Sequence, residues 1–266
     1  MCTHNSSTSL PVALSIASSD SGCGAGIQAD LLTFSACGVF GTTAIAALTA
    51  QNPQSVTACV ALEPAFLEAQ IDRVFNFFPV RAVKTGMLFT ADLIRATAEK
   101  LRTVAIPIVV DPVMIASSGH SLLQLDAIQV LVNELLPIAT LITPNLDEAE
   151  AIMQLPARTS AERDTLATQM SQHFNTTVLL KGGHADSEVL VDILATSDGT
   201  LAHLSANRIH KINTHGSGCT LAAAITAHLA KGCALETAVR AGHQYLQRCL
   251  HHPLQINSVH YINHSG

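Results

Sequence analysis

The chain is poor in aromatic and charged residues. Its 266 residues include no tryptophan and two tyrosines, and charged residues make up 13%. No segment reaches the roughly 18 consecutive apolar residues that a membrane-spanning helix needs. The first ten residues are polar and lack the basic and apolar regions of a secretory signal peptide. We therefore expect a cytoplasmic protein with no membrane association, in which residues 1–10 form a disordered tail.

Basic residues are scarce as well. The chain has 14 lysines and arginines against 20 acidic residues, which gives a formal charge of −6, and the basic residues are scattered. Because nucleic-acid backbones are held by clustered lysine and arginine, we expect no nucleic-acid partner.

Several cysteine, histidine and glycine motifs are missing. Seven cysteines occur without a C-x-x-C spacing, and thirteen histidines occur without H-E-x-x-H, so free thiols are expected and a zinc site is not. G-x-x-x-x-G-K-[ST] is absent, which excludes a Walker-type nucleotide site. The glycines of residues 22–26 follow G-x-G-x-G, and no acidic residue ends the second predicted strand, so the dinucleotide-binding fingerprint is not met.

Apolar runs alternate with amphipathic stretches along almost the whole chain. This alternation predicts an α/β fold with three α/β/α layers, in which a mostly parallel central sheet has helices on both faces. No linker divides residues 1–266, so we expect one domain. Strands are predicted at 12–16, 43–48, 81–84, 106–110, 139–142 and 178–180, with a hairpin at 189–194 and 200–204. Helices are predicted at 27–37, 64–78, 90–102, 125–136, 146–154, 160–174, 218–231 and 235–251.

A glycine-rich turn, THGSGCT at residues 214–220, precedes the seventh predicted helix in this series. Its N–H groups can converge on one anion, and the helix dipole adds a partial positive charge there. A thiol in this place, that of Cys219, is expected to have a lowered pKa. The alternative interpretation is an ordinary glycine-rich helix start with a buried cysteine.

Polar residues follow several of the predicted strands, where ligands bind in sheets of this kind. Asp111 ends the most apolar strand, and Lys181 follows a later one. Asn145 and Glu148 have the spacing of a capping box, which explains them structurally. They could instead organise Mg²⁺ and water around phosphates. By spacing alone, Asp111 fits a turn equally well and Lys181 fits a surface turn.

Seven segments in order resemble the hydroxymethylpyrimidine and phosphomethylpyrimidine kinase family, a branch of the ribokinase superfamily. They cover most of the chain from residue 14 to residue 246. These segments are GAGIQADL at 24–31, ALTAQN at 47–52, VKTGML at 83–88, VVDPVM at 109–114, TPNLDEAE at 143–150, LKGGH at 180–184 and THGSGCTLAAAI at 214–225.

The resemblance implies a ribokinase-like fold, with ATP and Mg²⁺ as cofactors and a small pyrimidine as substrate. It also implies a homodimer. By this similarity the backbone N–H groups of Gly216, Ser217, Gly218 and Cys219 form an anion hole, and Cys219 accepts or positions the substrate hydroxyl. The remaining implied residues are Lys181, Asn145, Glu148, Thr214 and Gly218 for the phosphates, Asp111 and Glu148 for the metal, and Asp30, Gln51, Met87, Val113 and Gly24 for the heterocycle.

Three features depart from the family pattern. Cys23 stands where a glycine is more common, and Ser217 replaces a common threonine. Ser117 and His120 stand where the family usually has Lys and Asp, which weakens any role for residues 116–123 in closing over phosphate.

Two other functions remain open at this point. One is a pyridoxine or pyridoxal kinase, or a dual-specificity enzyme, although Gln51 and residues 181–184 favour the pyrimidine. The other is a catalytically silent ligand-binding protein of the same fold, against which the presence of Cys219, Glu148, Asp111 and Lys181 argues.

Overall fold

The computed structural model describes residues 9–52, 54–114, 125–183 and 188–265. The predicted residues 116–123 and His184, as well as most of the predicted tail, lie outside these ranges. The strands are β1 Val12–Asp20, β2 Phe40–Asn52, β3 Ser55–Ala61, β4 Val80–Thr85, β5 Ile108–Val110, β6 Leu141–Ile142, β7 Thr177–Leu180, β8 Val189–Ala195, β9 Leu201–Asn207, β10 Leu254–Ile256 and β11 Val259–Tyr261. The helices are α1 Gly26–Ala36, α2 Pro64–Phe77, α3 Ala91–Leu101, α4 Leu125–Val130, α5 Leu146–Met153, α6 Ser160–Phe174, α7 Ser217–Ala230 and α8 Leu235–His251.

Nine strands form one sheet in the order β3-β2-β1-β4-β5-β6-β7-β8-β9. The six strands from β2 to β7 in this order are parallel, and β3, β8 and β9 are antiparallel to their neighbours. The mostly parallel sheet predicted from the alternation is therefore confirmed, as is the β8–β9 hairpin.

Alternate residues of the central strands point to opposite faces of the sheet, and each face has its own core. Leu14 and Val83 pack in the cluster that contains residues of α2, α3, α5 and α6, while Ala13 and Ala82 pack in the cluster of α1, α7 and α8. Burial on both faces explains why these strands are almost continuously apolar.

Local signals position several helices. Thr90 accepts a hydrogen bond from Leu93 N–H at the start of α3. The predicted capping box of Asn145 and Glu148 is present at the start of α5, with both hydrogen bonds at 2.8 Å. The predicted helix 125–136 changes its hydrogen-bonding pattern within its length. After α4 the backbone forms a π turn at Leu131–Leu135 and a 3-10 turn at Leu136–Ile138.

Three strands were missed by the sequence analysis, and others, including β1 and β2, were predicted too short. Strand β3 pairs with the end of β2, so β2 extends to Asn52 rather than stopping near residue 48. The short antiparallel pair β10 and β11 follows α8. Both strand pairs are partly exposed, so they lack the continuous apolar character that marked the central strands.

Candidate active site

The carboxyl ends of the parallel strands open into a cavity of about 560 Å³. Asp20 ends β1, Asp111 follows β5 and Lys181 follows β7, and all three line this cavity. The turn before α7 forms part of the same wall. The sheet edge therefore brings together the residues that the sequence analysis singled out there.

Asp111 and Lys181 form an ion pair at the centre of the cavity. Lys181 Nζ lies 2.8 Å from Asp111 Oδ1, which also accepts a hydrogen bond from the Thr143 hydroxyl at 3.1 Å. The Asp111 side chain is 2% exposed and that of Lys181 is 16% exposed. Burial lowers the pKa of Lys181, but Asp111 and Glu148 outweigh that effect and the net pKa is raised. Lys181 therefore presents a permanent positive charge to the cavity.

Glu148 is a buried carboxyl of this site with a raised pKa. It is 3% exposed, and burial raises its pKa to about 7, with Lys181 opposing the shift and Asp111 adding to it. One of its oxygens accepts the Asn145 N–H of the capping box. The capping role and a phosphate-side role are thus compatible, since Glu148 also lines the cavity.

The residues present could hold Mg²⁺ with only a few ligands from the protein. Asp111 and Glu148 supply carboxylate oxygens, but within the part of the chain that the structure describes no group of three potential metal ligands occurs. Magnesium keeps several waters and commonly takes its other ligands from substrate phosphates, so two carboxylates suffice.

The glycine turn requires a residue without a side chain at position 216. Gly216 has φ +84°, and a Cβ there would lie 1.8 Å from the carbonyl oxygen of Gly24. A Cβ at Gly218 would lie 3.2 Å from Lys181 Nζ and 3.5 Å from Asp111 Oδ2. The first turn of α7 is therefore packed directly beside the ion pair.

One of the four N–H groups of the predicted anion hole, that of Ser217, already has an acceptor within the turn. Ser217 N–H donates to Thr214 O at 3.0 Å, so it is already used within the turn. Within the described ranges, the N–H groups of Gly216, Gly218 and Cys219 donate to no protein acceptor. The expectation that Ser217 contributes an N–H to an anion does not fit this geometry, because that N–H forms the hydrogen bond that closes the turn.

The expected lowered pKa of Cys219 is wrong. Burial raises the pKa of its thiol to about 11, although Lys84 opposes the shift. Asp30 and Asp111 add to the rise because each would repel a thiolate. Desolvation and nearby carboxylates thus outweigh the helix start, and the thiol is protonated near neutral pH.

The opposite end of the cavity has a polar network that the sequence analysis missed. Asp20 is 3% exposed, and its carboxylate accepts from the N–H groups of Gly22, Gly24 and Ala25. His215 Nε2 lies 2.9 Å from Asp20 Oδ2 and 3.2 Å from Gln51 Nε2. Burial raises the pKa of Asp20, but the hydrogen bonds from His215 and Gly22 outweigh it, and the net pKa is lowered.

This network joins the first glycine loop to the turn before α7. His215 belongs to that turn, and Asp20 belongs to the loop after β1. The position of Asp20 at the end of a buried strand was the signal available in the sequence, but nothing local pairs it with a histidine 195 residues away. Cys23 in the same loop has φ +61°, a left-handed conformation that glycine adopts more readily than a residue with a side chain.

Two predicted substrate contacts do not lie on the cavity wall. Asp30 is fully buried, and both of its oxygens accept from Lys84 Nζ, at 2.9 and 2.8 Å. It therefore lies beneath the cavity, where its charge is neutralised by Lys84. Gly24 uses its N–H on Asp20 and its carbonyl faces Gly216. Among the other predicted residues, those that line the cavity are Gln51, Met87, Val113, Asn145, Thr214, Ser217, Gly218 and Cys219, as well as Gly216.

Beyond Lys181 the cavity continues into a largely apolar region. It is bounded by α7, α8 and the segment after β9, and its apolar wall consists of Leu190, Ile209, Ile212, Leu221, Leu246 and Leu250. A flat aromatic ring fits between apolar side chains of this kind. The charged centre of the cavity thus lies between a polar end at Gln51 and an apolar end at α8.

The three-layer architecture with this site at the carboxyl edge is that of the ribokinase-like small-molecule kinases. The family model of phosphomethylpyrimidine kinase matches residues 20–264. A hydroxymethylpyrimidine/phosphomethylpyrimidine kinase of Rhizobium meliloti (strain 1021) is 47% identical over 242 residues, covering 90% of each chain. The chain belongs to the phosphomethylpyrimidine kinase family.

Solved structures agree with this assignment. A phosphomethylpyrimidine kinase (thiD) from Clostridium difficile 630 is 38% identical, with a TM-score of 0.79 over 89% of this chain and 98% of that one. An ADP complex of Bacillus subtilis pyridoxal kinase is 33% identical, with a TM-score of 0.88 over 97% of this chain and 98% of that one. The fold is therefore shared by kinases of two different heterocycles.

Proposed function

We propose that this chain transfers the γ-phosphoryl group of ATP to the hydroxymethyl group of 4-amino-5-hydroxymethyl-2-methylpyrimidine. It then phosphorylates the monophosphate to the diphosphate, in thiamine biosynthesis. One observation carries the proposal: the Asp111–Lys181 pair lies beside the first turn of α7, in one cavity with a hydrogen-bonding wall at Gln51. The names of the relatives support the pyrimidine as the acceptor.

Different residues of the cavity have different roles in phosphoryl transfer. Such transfer needs alignment and stabilisation of charge on the transferring group. The N–H groups of Gly216, Gly218 and Cys219 and the ammonium of Lys181 supply that charge stabilisation. The Cys219 thiol, protonated at rest, positions the substrate hydroxyl by hydrogen bonding rather than by deprotonating it. Gln51, with Asp20 and His215 behind it, recognises the amino group and ring nitrogens of the pyrimidine.

Nucleotide and metal complete the arrangement. The polyphosphate of ATP extends from Lys181 past Thr214 and Asn145, and its adenine occupies the apolar region next to α8. Asp111 and Glu148 would hold Mg²⁺, which neutralises charge on the phosphates when bound. The ADP complex of the pyridoxal kinase supports an adenine nucleotide as the donor.

The test is ATP-coupled turnover with three acceptors side by side: hydroxymethylpyrimidine, its monophosphate and pyridoxine. We expect ADP formation with both pyrimidines and a higher kcat/KM for hydroxymethylpyrimidine than for pyridoxine. A large preference for pyridoxine would overturn the choice of substrate. Absence of acceptor-dependent ADP formation under Mg²⁺ would favour a binding protein instead.

A second candidate function is phosphorylation of pyridoxal or pyridoxine. The observation that favours it is the likeness to the pyridoxal kinase over 97% of this chain. Comparable kcat/KM values for the two kinds of heterocycle would identify a dual-specificity enzyme.

We also infer a single-domain cytoplasmic homodimer. No described helix is long and apolar enough to cross a bilayer, and the six cysteines among the described residues are free thiols. Leu48 and Val60 face each other across β2 and β3 and are 46% and 61% exposed. Their contact with a second copy is tested by the molar mass in solution, which should fall to that of a monomer in Val60→Lys if this face is the interface.

A further inference from the structure

The chain after α8 returns to the turn that precedes α7. The C-terminal segment, residues 254–264, begins with the β10–β11 pair and then runs inward. His260 O accepts a hydrogen bond from Asn213 N–H at 2.8 Å, immediately before the turn. Ile262 and His264 are 5% and 7% exposed. The end of the chain is thus anchored in the protein next to the proposed phosphate site.

His264 contacts the turn from its other side. Its Nε2 lies 3.1 Å from the hydroxyl of Thr220, a fully buried residue in the first turn of α7. The Thr220 hydroxyl donates to Gly216 O at 2.9 Å. Because a hydroxyl has one hydrogen, Thr220 then accepts its bond from the Nε2–H of His264.

The backbone of His264 is held independently of its ring. Tyr245, on α8, donates its hydroxyl to His264 O at 2.6 Å. Burial lowers the pKa of His264, which favours the neutral imidazole in this place. The ring, the Thr220 hydroxyl and the Gly216 carbonyl therefore form a continuous chain of hydrogen bonds, which we call the His264 relay.

We propose that His264 is a positioning residue for phosphoryl transfer, which fixes the Gly216 carbonyl through Thr220 and so orients the N–H groups of Gly218 and Cys219. The proposal rests on the proposed function, because it assigns a task to the same anion site. It concerns a residue that does not line the cavity and would touch neither substrate nor nucleotide.

The physical reason is that hydrogen bonds restrain the peptide unit between Gly216 and Ser217, and one of them belongs to the relay. On the Ser217 side of this unit, the N–H donates to Thr214 O. Gly216 has φ +84° and no side chain, so hydrogen bonds to its carbonyl determine the plane of the following peptide unit. That carbonyl accepts from Thr220 N–H at 2.8 Å and from the Thr220 hydroxyl. Without His264 the hydroxyl is free to rotate away, and the first turn of α7 loses part of its alignment. Misplacement by about 1 Å can cost on the order of 10²-fold in rate.

The test compares four variants in turnover and thermal unfolding. His264→Ala removes the relay, His264→Gln keeps an N–H donor in a side chain of similar reach, and Thr220→Val removes the relay at its other member. His252→Ala is the matched control, an exposed histidine at the end of α8. We expect kcat to fall about tenfold in His264→Ala and Thr220→Val, within the range for misaligned groups. The KM for the pyrimidine should change less than about twofold, because the Gln51 wall is untouched.

Conservative replacement and coupling distinguish positioning from mere support of the fold. His264→Gln should recover most of kcat, and the double variant His264→Ala/Thr220→Val should be no slower than either single variant. A kcat per folded molecule within twofold of wild type in His264→Ala would overturn the proposal, whatever the loss in Tm. So would the absence of recovery in His264→Gln. The ratio of kcat in each variant to kcat in the wild type is measured with whichever acceptor the wild type phosphorylates. A wrong substrate assignment therefore shows in the acceptor preference of the wild type and does not change these ratios.

Discussion

At the end of the cavity next to Gln51, where we propose that the heterocycle binds, the Asp20 carboxylate accepts four hydrogen bonds. At the phosphate end, next to the first turn of α7, where we propose that the phosphates bind, Asp111 and Glu148 share the charge of one ammonium, that of Lys181. The pKa of Asp20 is lowered although burial opposes it, and the pKa of Glu148 is raised to about 7. The same kind of side chain is thus stabilised as an anion at one end and destabilised at the other.

This difference matches the two kinds of ligand. A satisfied carboxylate with its histidine and amide forms a fixed wall, which suits a neutral heterocycle recognised by shape and a few hydrogen bonds. A buried carboxyl with a raised pKa can change its protonation state when a charged group binds beside it, which suits a cation and a polyphosphate. Mutations at the phosphate end should therefore affect rate, and those at the heterocycle end should affect choice of substrate.

The largest expected effect is at Lys181. Lys181→Met removes the permanent charge beside the first turn of α7, and we expect kcat/KM to fall about 10²–10³-fold, as for loss of one preorganised donor at an oxyanion. Lys231→Met, at an exposed lysine just after the C-terminal end of α7, is the control and should leave kcat/KM unchanged. A loss smaller than tenfold in Lys181→Met would show that Lys181 does not stabilise the transferring group.

Substitution of Cys219 should reduce the rate less than substitution of Lys181. Because its thiol has a pKa of about 11 and stays protonated, Cys219→Ala removes a positioning contact and not a base. We expect kcat to fall about tenfold, below the ~10²–10⁴-fold of general acid–base catalysis. The pyrimidine KM should hardly change, so steady-state kinetics separate the two parameters. An unchanged kcat would remove the side chain from the mechanism.

Gln51 tests the heterocycle end. Gln51→Met removes the amide that lies 3.2 Å from His215 Nε2 and lines the cavity, while keeping a side chain of similar length. The ratio of kcat/KM for hydroxymethylpyrimidine to that for pyridoxine should fall about tenfold, which corresponds to one lost hydrogen bond of ~1.4 kcal/mol. An unchanged ratio would mean that the Gln51 amide does not contribute to recognition of the pyrimidine ring.

The smallest effect concerns stability against pH. The pKa of Glu148 is raised from 4.5 to about 7 in the folded protein, so its contribution is complete below pH 4.5 and is lost as the pH rises through 7. Glu148→Gln cannot ionise but can still accept the Asn145 N–H of the capping box. Denaturant unfolding at pH 5 and pH 8 should show the free energy of unfolding of the wild type falling relative to that of Glu148→Gln. A difference that is independent of pH would contradict the raised pKa.

The features that could be predicted from the sequence are those that depend on residues close together in the chain. The capping box at Asn145 and the glycine turn before α7 each lie within a few residues, and the structure forms both. The order of central strands and helices followed from apolar runs buried on both faces of the sheet. Asp111 and Lys181 were found because each directly follows such a run.

The remainder depended on contacts between distant parts of the chain. Asp20 meets His215 across 195 residues, and Asp30 meets Lys84 across 54. No spacing rule predicts either pair, so Asp20 was overlooked. The family resemblance implied a contact of Asp30 with the heterocycle and gave no sign of its pairing with Lys84. The pKa of Cys219 was misjudged for a related reason, since its burial beside Asp30 and Asp111 arises only in the folded protein.

The most direct test of the account is a crystal structure with ADP, Mg²⁺, aluminium fluoride and hydroxymethylpyrimidine. The account predicts the fluoride group within hydrogen-bonding distance of the N–H groups of Gly218 and Cys219 and of Lys181 Nζ. Ser217 N–H should remain bonded to Thr214 O. A fluoride group bound away from the start of α7, with Gly218 and Cys219 making no contact to it, would contradict the account.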